Sequence, residues 1–311
     1  MANVYPTTNG NWSTRVWNDD ATGAAYGPGT PQVGDTVLAN GRTITVDVDI
    51  TLIALSTRVG VTATAGGVFA TSGQRTVTAD TYGGTTSCLT LTANSQSVHI
   101  GNSYGSDTTA SAVGTTINAT CQQFGNATGG NGASRFGSSV GAGGRLVGNT
   151  YGGTVNATAY GAQVSGGGIH LGNSHGGTHG YGTNLALGAI QIGDSFGGSG
   201  PSAHGTVHAA GTIQIGNATG GTVSGAYGTA TTTGSYLVNC IATGTTAGAF
   251  GVSGGAGATV VIISEVGAYP KTLNALCRTD YDWVPFLEPS SGGSSTFSPF
   301  ASRAFSGGSR S

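Results

Sequence analysis

One nine-residue phrase recurs almost unchanged: IQIGDSFGG at 190–198 and IQIGNATGG at 213–221. Aligning the chain on it places Asn or Asp at 102, 126, 149, 173, 194, 217 and 239, at intervals of 24, 23, 24, 21, 23 and 22. A second column, a large residue followed by Gly, falls at Val113, Phe136, Tyr160, Tyr181, His204, Tyr227 and Phe250, at intervals of 23, 24, 21, 23, 23 and 23. Both columns contain the same shortened interval of 21 residues, which random Gly/Thr drift does not produce. A fixed period of this length signals a repeat architecture, and its identity governs every later inference.

Few architectures have a unit this short. Helical repeats run longer and need helix formers, whereas this region is Gly, Thr, Ser, Val and Ala. A leucine-rich repeat lacks its Leu lattice here, and collagen or a polyproline-II sandwich would need Gly at every third residue. What fits is an all-β parallel solenoid (β-helix): short strands joined by Gly and Asn corners, each coil rising about 4.8 Å. In IQIG, strand alternation separates Ile190 and Ile192 from Gln191, and apolar-in patterning predicts the two Ile to face inward. Val98/Ile100, Ile169/Leu171 and Ile213/Ile215 are the equivalent inward pairs. The Gly-Asn or Gly-Asp that follows makes a corner, since both tolerate positive φ. Stacked Asn side chains are expected to form a ladder there, interrupted at Asp194, which reads as a tolerated rung defect rather than a site.

The chain divides into three. Residues 1–42 are an irregular docking or capping segment with Trp12 and Trp17. Residues 43–265 are the β-helix; it opens on the alternating stretch RTITVDVDITLIAL, has further strands at 75–79 and 88–92, and has regular coils from about 98 to 264. Residues 266–311 form a cap over the open end and then an extended arm, with Phe297, Phe300 and Phe305 as candidate anchors on a neighbour.

Composition excludes several functions. Charged residues are 7% of 311 and the net charge is -2, so the basic footprint of a nucleic-acid binder is missing. No apolar run spans a bilayer, so membrane insertion is not expected, and the first residues lack the pattern of an export signal. The four cysteines are far apart and read as buried free thiols. Sequons such as that at Asn126 are therefore incidental.

Candidate chemistry is sparse. Between 81 and 264 the acidic residues are Asp107 and Asp194, several coils apart, too far for the roughly 5–10 Å spacing of a glycosidase pair. Asp47 and Asp49 sit in an outward Thr row and read as a solvated strand face. Among the histidines, His175 shares a column with Tyr104, Tyr151 and Phe196, and His204 shares one with Tyr160, Tyr181 and Tyr227; both read as aromatic stackers rather than metal ligands. No metal, cofactor or catalytic residue is expected. Opposite the Ile pairs lies a predicted outward column, His99, Gln123, Leu146, His170, Gln191, Gln214 and Tyr236, uncharged and suited to burial against another subunit or a surface. Thr residues hold no single column through the repeats, which disfavours an ice-binding face.

The lead-in carries one resemblance. Trp17, the Pro31, Gly34 and Asp35 turn, and the Thr45 to Asp47 strand resemble the segment that opens β-helices of bacteriophage virion proteins; the likeness covers about 40 residues. It implies a non-enzymatic tail fibre, adhesin or capsid-decoration subunit, or alternatively a polysaccharide-degrading tailspike. A bacterial surface or ice-binding solenoid is a further alternative. The virion reading implies a homo-oligomer, expected to be a trimer, with capsid or tail proteins and a host surface glycan as partners. It also places the protein in the virion, released by lysis without a signal.

Overall fold

The structure is a computed structural model and describes residues 1–108, 112–131, 136–154, 159–232, 234–243, 252–253 and 259–266. The expected anchors Phe297, Phe300 and Phe305, like Cys277, lie outside these residues.

The chain winds as a parallel β-solenoid of about eight coils of about 23 residues. Each regular coil has three short strands. In the coil opened by the recurring phrase, a lead strand Ile190–Ile192 turns through Gly193 and Asp194 into a corner strand Ser195–Phe196. A back strand Thr206–His208 then closes the coil. Lead and corner strands stack into a 19-stranded sheet and back strands into an 11-stranded sheet. Successive lead strands pair in parallel without slippage from Val98–Ile100 through Ile213–Ile215.

The lead-in is more ordered than its composition suggests. Asn3–Pro6, Trp17–Asp19 and Thr36–Leu38 all join the long sheet. Trp12, Trp17, Ile44 and Phe69 are buried together and close the N-terminal end of the core. The stretch predicted as one alternating strand is two: Arg42–Val46 belongs to the shorter sheet and Ile50–Ser56 to the longer one, with a turn over 47–49 between them. The strands expected at 75–79 and 88–92 are Thr76–Tyr82 and Leu89–Leu91.

Two glycine positions make this stacking possible. After six successive lead strands, Gly101, Gly125, Gly148, Gly172, Gly193 and Gly216 have φ between 145° and 152°. Above each lies a carbonyl of the coil before. A Cβ on Gly193 would sit 2.1 Å from the Gly172 oxygen, and one on Gly125 at the same distance from the Gly101 oxygen. No side chain fits in that gap. The second position, two residues before each lead strand, is left-handed but open: Gly188 has φ 75°, and its nearest foreign atom to an added Cβ is 3.7 Å away.

These two positions predict opposite tolerances. Gly193→Ala should cost about 3 kcal/mol or more, because backbone must move, whereas Gly188→Ala should cost about 1 kcal/mol of left-handed strain. Urea denaturation of both variants checks this; equal midpoints would contradict the close-approach argument.

Candidate functional site

The lead strands have an inside and an outside, and the sides are the reverse of the apolar-in expectation. His99, Gln123, Leu146, His170, Gln191 and Gln214 are fully buried, while Ile192 is 46% and Ile215 37% exposed. The predicted outward column therefore lines the interior. Tyr236 does not belong to it: it aligns with Ile213 and is exposed, and the residue beside Gln214 is Leu237.

Buried amides and imidazoles survive because hydroxyls converge on them from the other strands. Gln191 Nε2 donates to Ser174 Oγ at 2.8 Å, and Gln191 Oε1 accepts from Thr206 Oγ1 at 2.8 Å. One coil on, Gln214 Nε2 donates to Ser195 Oγ at 2.6 Å, and its Oε1 accepts from Thr229 Oγ1 at 3.0 Å and His208 Nε2 at 2.9 Å. Gln123 has the same arrangement with Ser103 and Ser138. His170 donates from Nε2 to the Gly148 carbonyl at 2.8 Å and accepts from Thr183 Oγ1 at its Nδ1. Satisfied in this way, a buried polar group loses little relative to water. Thr115, Thr183, Thr206 and Thr229 do share a column, with Ser138 and Ala162, but it faces inward and offers no Thr row to a surface. Ile117, Val140, Val164 and Leu185 form the apolar part of the core, on the back strands.

The outward side of the lead strands is consequently apolar. Ile100, Phe124, Val147, Leu171, Ile192, Ile215 and Val238 form one unbroken column along seven coils. A parallel column contains Ile169, Ile190, Ile213 and Tyr236 at its C-terminal end and Val98, Gln122 and Arg145 at its N-terminal end. The outward column of the back strands is mostly polar, with Thr90, Thr116, Ser139, Gln163 and Asn184 followed by the smaller apolar Val207 and Ala230. The lead-strand face is thus the one on which exposed apolar side chains stack in continuous columns; others, such as Leu187 in a turn and Val59 and Val61 in the lead-in coils, stand singly.

Other predicted residues have structural roles. Tyr151, His175 and Phe196 stack with centroids 5.0 and 4.8 Å apart, and Phe136, Tyr160, Tyr181, His204 and Tyr227 form a second stack at 5.1–5.2 Å. Each ring covers its neighbour's face, so a stack presents mainly edges to solvent. Asp194 does not interrupt the corner ladder. Each Oδ1 accepts the backbone N–H of the next rung, from Asn102 to Asn126, Asn149, Asn173, Asp194 and Asn217 at 2.8–3.1 Å, and a carboxylate accepts as an amide does. Asp107 pairs with Arg58 at 3.0 Å. Four coils, roughly 19 Å of rise, separate Asp107 from Asp194. Asp47 accepts from the Ser13 N–H at 3.0 Å and from its hydroxyl at 2.5 Å, and Asp49 from Thr76 N at 2.8 Å, tying the lead-in and the turn to the first coils. Cys88 and Cys121 are buried free thiols. Among the described residues, no three His, Cys, Asp or Glu side chains converge as a metal site, and no helix is long and apolar enough to cross a membrane.

Comparison with protein families, curated proteins and solved structures finds no match to this chain. The outward apolar face, with the polar end at Gln122 and Arg145, is the candidate functional surface.

The interior histidines make stability depend on pH. Burial pushes His99, His170 and His208 down to about 4. An unfolded chain takes up these protons near pH 6.5 and the native chain only near pH 4, so stability falls as pH drops through that window, by up to a few kcal/mol per ring. The melting temperature should fall between pH 7 and pH 4.5. His170→Gln should lessen that fall, since Gln occupies the same column at 123, 191 and 214. A melting temperature unchanged between those two pH values would refute the assignment.

Proposed function

We propose that this chain is a non-enzymatic structural subunit of a bacteriophage virion, a β-helical fibre, adhesin or capsid-decoration protein that acts by self-assembly and surface binding. The exposed apolar face carries the reading. Along it Ile100, Phe124, Ile192, Ile215 and Tyr236 are each 37–46% exposed, and a contiguous exposed apolar patch marks a contact surface. A continuous apolar face of this kind, opposite a mostly polar one, favours a subunit over a free rod.

A second copy of this chain is the occupant we assign to it. Over the coils from Ile169 to Tyr236 the face is uncharged and repeats at the coil rise, so two copies meet there without placing like charges together. The expected assembly is a trimer of parallel rods around one axis. Two further observations support a scaffold. Asp107 and Asp194 are engaged in a salt bridge and a backbone ladder rather than paired for hydrolysis. The lead-in residues that resemble those of virion β-helices hold the first coil: Asp35 accepts from the N–H groups of Ala2 and Gln32 and from the Tyr26 hydroxyl, and Trp17 is buried.

Light scattering of the purified full chain tests the reading. A trimer is expected at micromolar concentration. Ile192→Lys with Ile215→Lys should give a folded monomer, because both side chains are outward and lysine there costs the coil nothing internally. A monomeric wild-type chain would overturn the proposal.

A further inference from the structure

We propose that the groove across the N-terminal coils of this face binds an acidic saccharide, a hydroxyl-rich chain carrying carboxylates. The proposal concerns a different part of the face from the apolar contact and does not depend on self-assembly.

It starts from the turn position two residues before each lead strand. Five coils place Gly there, with left-handed φ: Gly143 at 69°, Gly167 at 82°, Gly188 at 75°, Gly211 at 69° and Gly234 at 75°. Two coils do not. Gln96 and Thr120 occupy the same position at φ 56° and 65°. A left-handed Thr is strained, since its branched Cβ crowds the following carbonyl. The five coils that follow avoid that strain with Gly, so these two keep a side chain where the later repeats have none. Backbone strain retained against an available alternative points to function.

The second of these coils and the one after it break the apolar pattern of the outer face. Gln122 and Arg145 stand where the later coils have Ile169, Ile190 and Ile213. Together Gln74, Gln96, Thr120, Gln122 and Arg145 line a groove of about 480 Å³ that runs along the rod. The Arg145 guanidinium and the amides of Gln74, Gln96 and Gln122 have no partner among the described residues. They offer a cation and three donor–acceptor groups to whatever enters.

The arrangement fits one ligand chemistry best. The amides of Gln74 and Gln96 stand in one column on successive coils about 4.8 Å apart, close to the length of one pyranose unit, with the Gln122 amide one column over on the next coil, and each both donates to and accepts from hydroxyls. A guanidinium takes a carboxylate through two parallel hydrogen bonds. A linear saccharide with a carboxylate at one unit engages all of these; a compact anion engages only Arg145.

Calorimetric titration of the full chain separates the possibilities, with an oligogalacturonate, a neutral oligoglucoside of equal length and inorganic phosphate as probes. Saturable binding of the oligogalacturonate is expected, roughly ten-fold or more tighter than of the neutral chain. Arg145→Gln should erase that preference and stay folded, since Gln122 occupies the same column one coil earlier. Thr120→Gly should raise the melting temperature and still weaken binding several-fold, which a purely structural Thr120 would not do. No saturable binding, an unchanged preference in Arg145→Gln, or phosphate competing as well as the oligogalacturonate would each overturn the proposal. Light scattering on the same samples reports assembly separately: a monomer that binds sustains the groove and sinks only the trimer.

Discussion

Everything in this molecule depends on how closely one coil can approach the next. Parallel strands must sit about 4.8 Å apart to share their backbone hydrogen bonds. At the corner, where the chain leaves the lead strand, that spacing puts the carbonyl of one coil where the next coil's Cβ would be. Glycine resolves the conflict six times in succession, from Gly101 to Gly216. The Asn and Asp side chains just beyond then stitch each corner to the backbone of the following one. Once the corners are fixed, strand register is fixed, and residues of like position stack along the rod: rings over rings, hydroxyls over hydroxyls.

Stacking of this kind has a consequence for the interior. A coil of about 23 residues encloses a narrow core in which three strands face one another at short range. Serine and threonine from the corner and back strands end within hydrogen-bonding distance of whatever the lead strand points inward. Glutamine and neutral histidine suit those hydroxyls, because each has a donor and an acceptor to place. The network is broken at Leu146, which sits beside Ala127 and Ala162, where hydroxyls are missing as well. Apolar and polar layers are thus matched across the coil. The same matching leaves the isoleucines outside, and a surface so apolar has a physical reason to find a partner.

The outer face is divided along its length. Its C-terminal half is aliphatic on both columns, suited to contact with another rod. Its N-terminal half trades isoleucine for Gln122 and Arg145, next to the turns that carry Gln96 and Thr120 instead of glycine. One continuous sheet therefore presents an apolar patch and a polar groove with no change of backbone. The repeat supplies the geometry and a few side chains alter what it meets.

The repeat interval, the corner glycines, the aromatic stacks of His175 and His204 and the general fold were legible in the sequence, because each is a periodic signal and periodicity survives without coordinates. The facing of the lead strand was not. Alternation in IQI separates Ile190 and Ile192 from Gln191 but assigns neither side to the core, and the rule that apolar residues go inside chose wrongly. The missing signal lay in other strands: Ser174 and Thr206, 17 and 15 residues away, meet Gln191 only after the chain has coiled. The groove at Arg145 likewise joins residues from four coils. What a residue does within its own coil was written locally; which side is inside, and what gathers on the outside, was decided by the stacking, since burial is a property of neighbours that only the folded chain brings together.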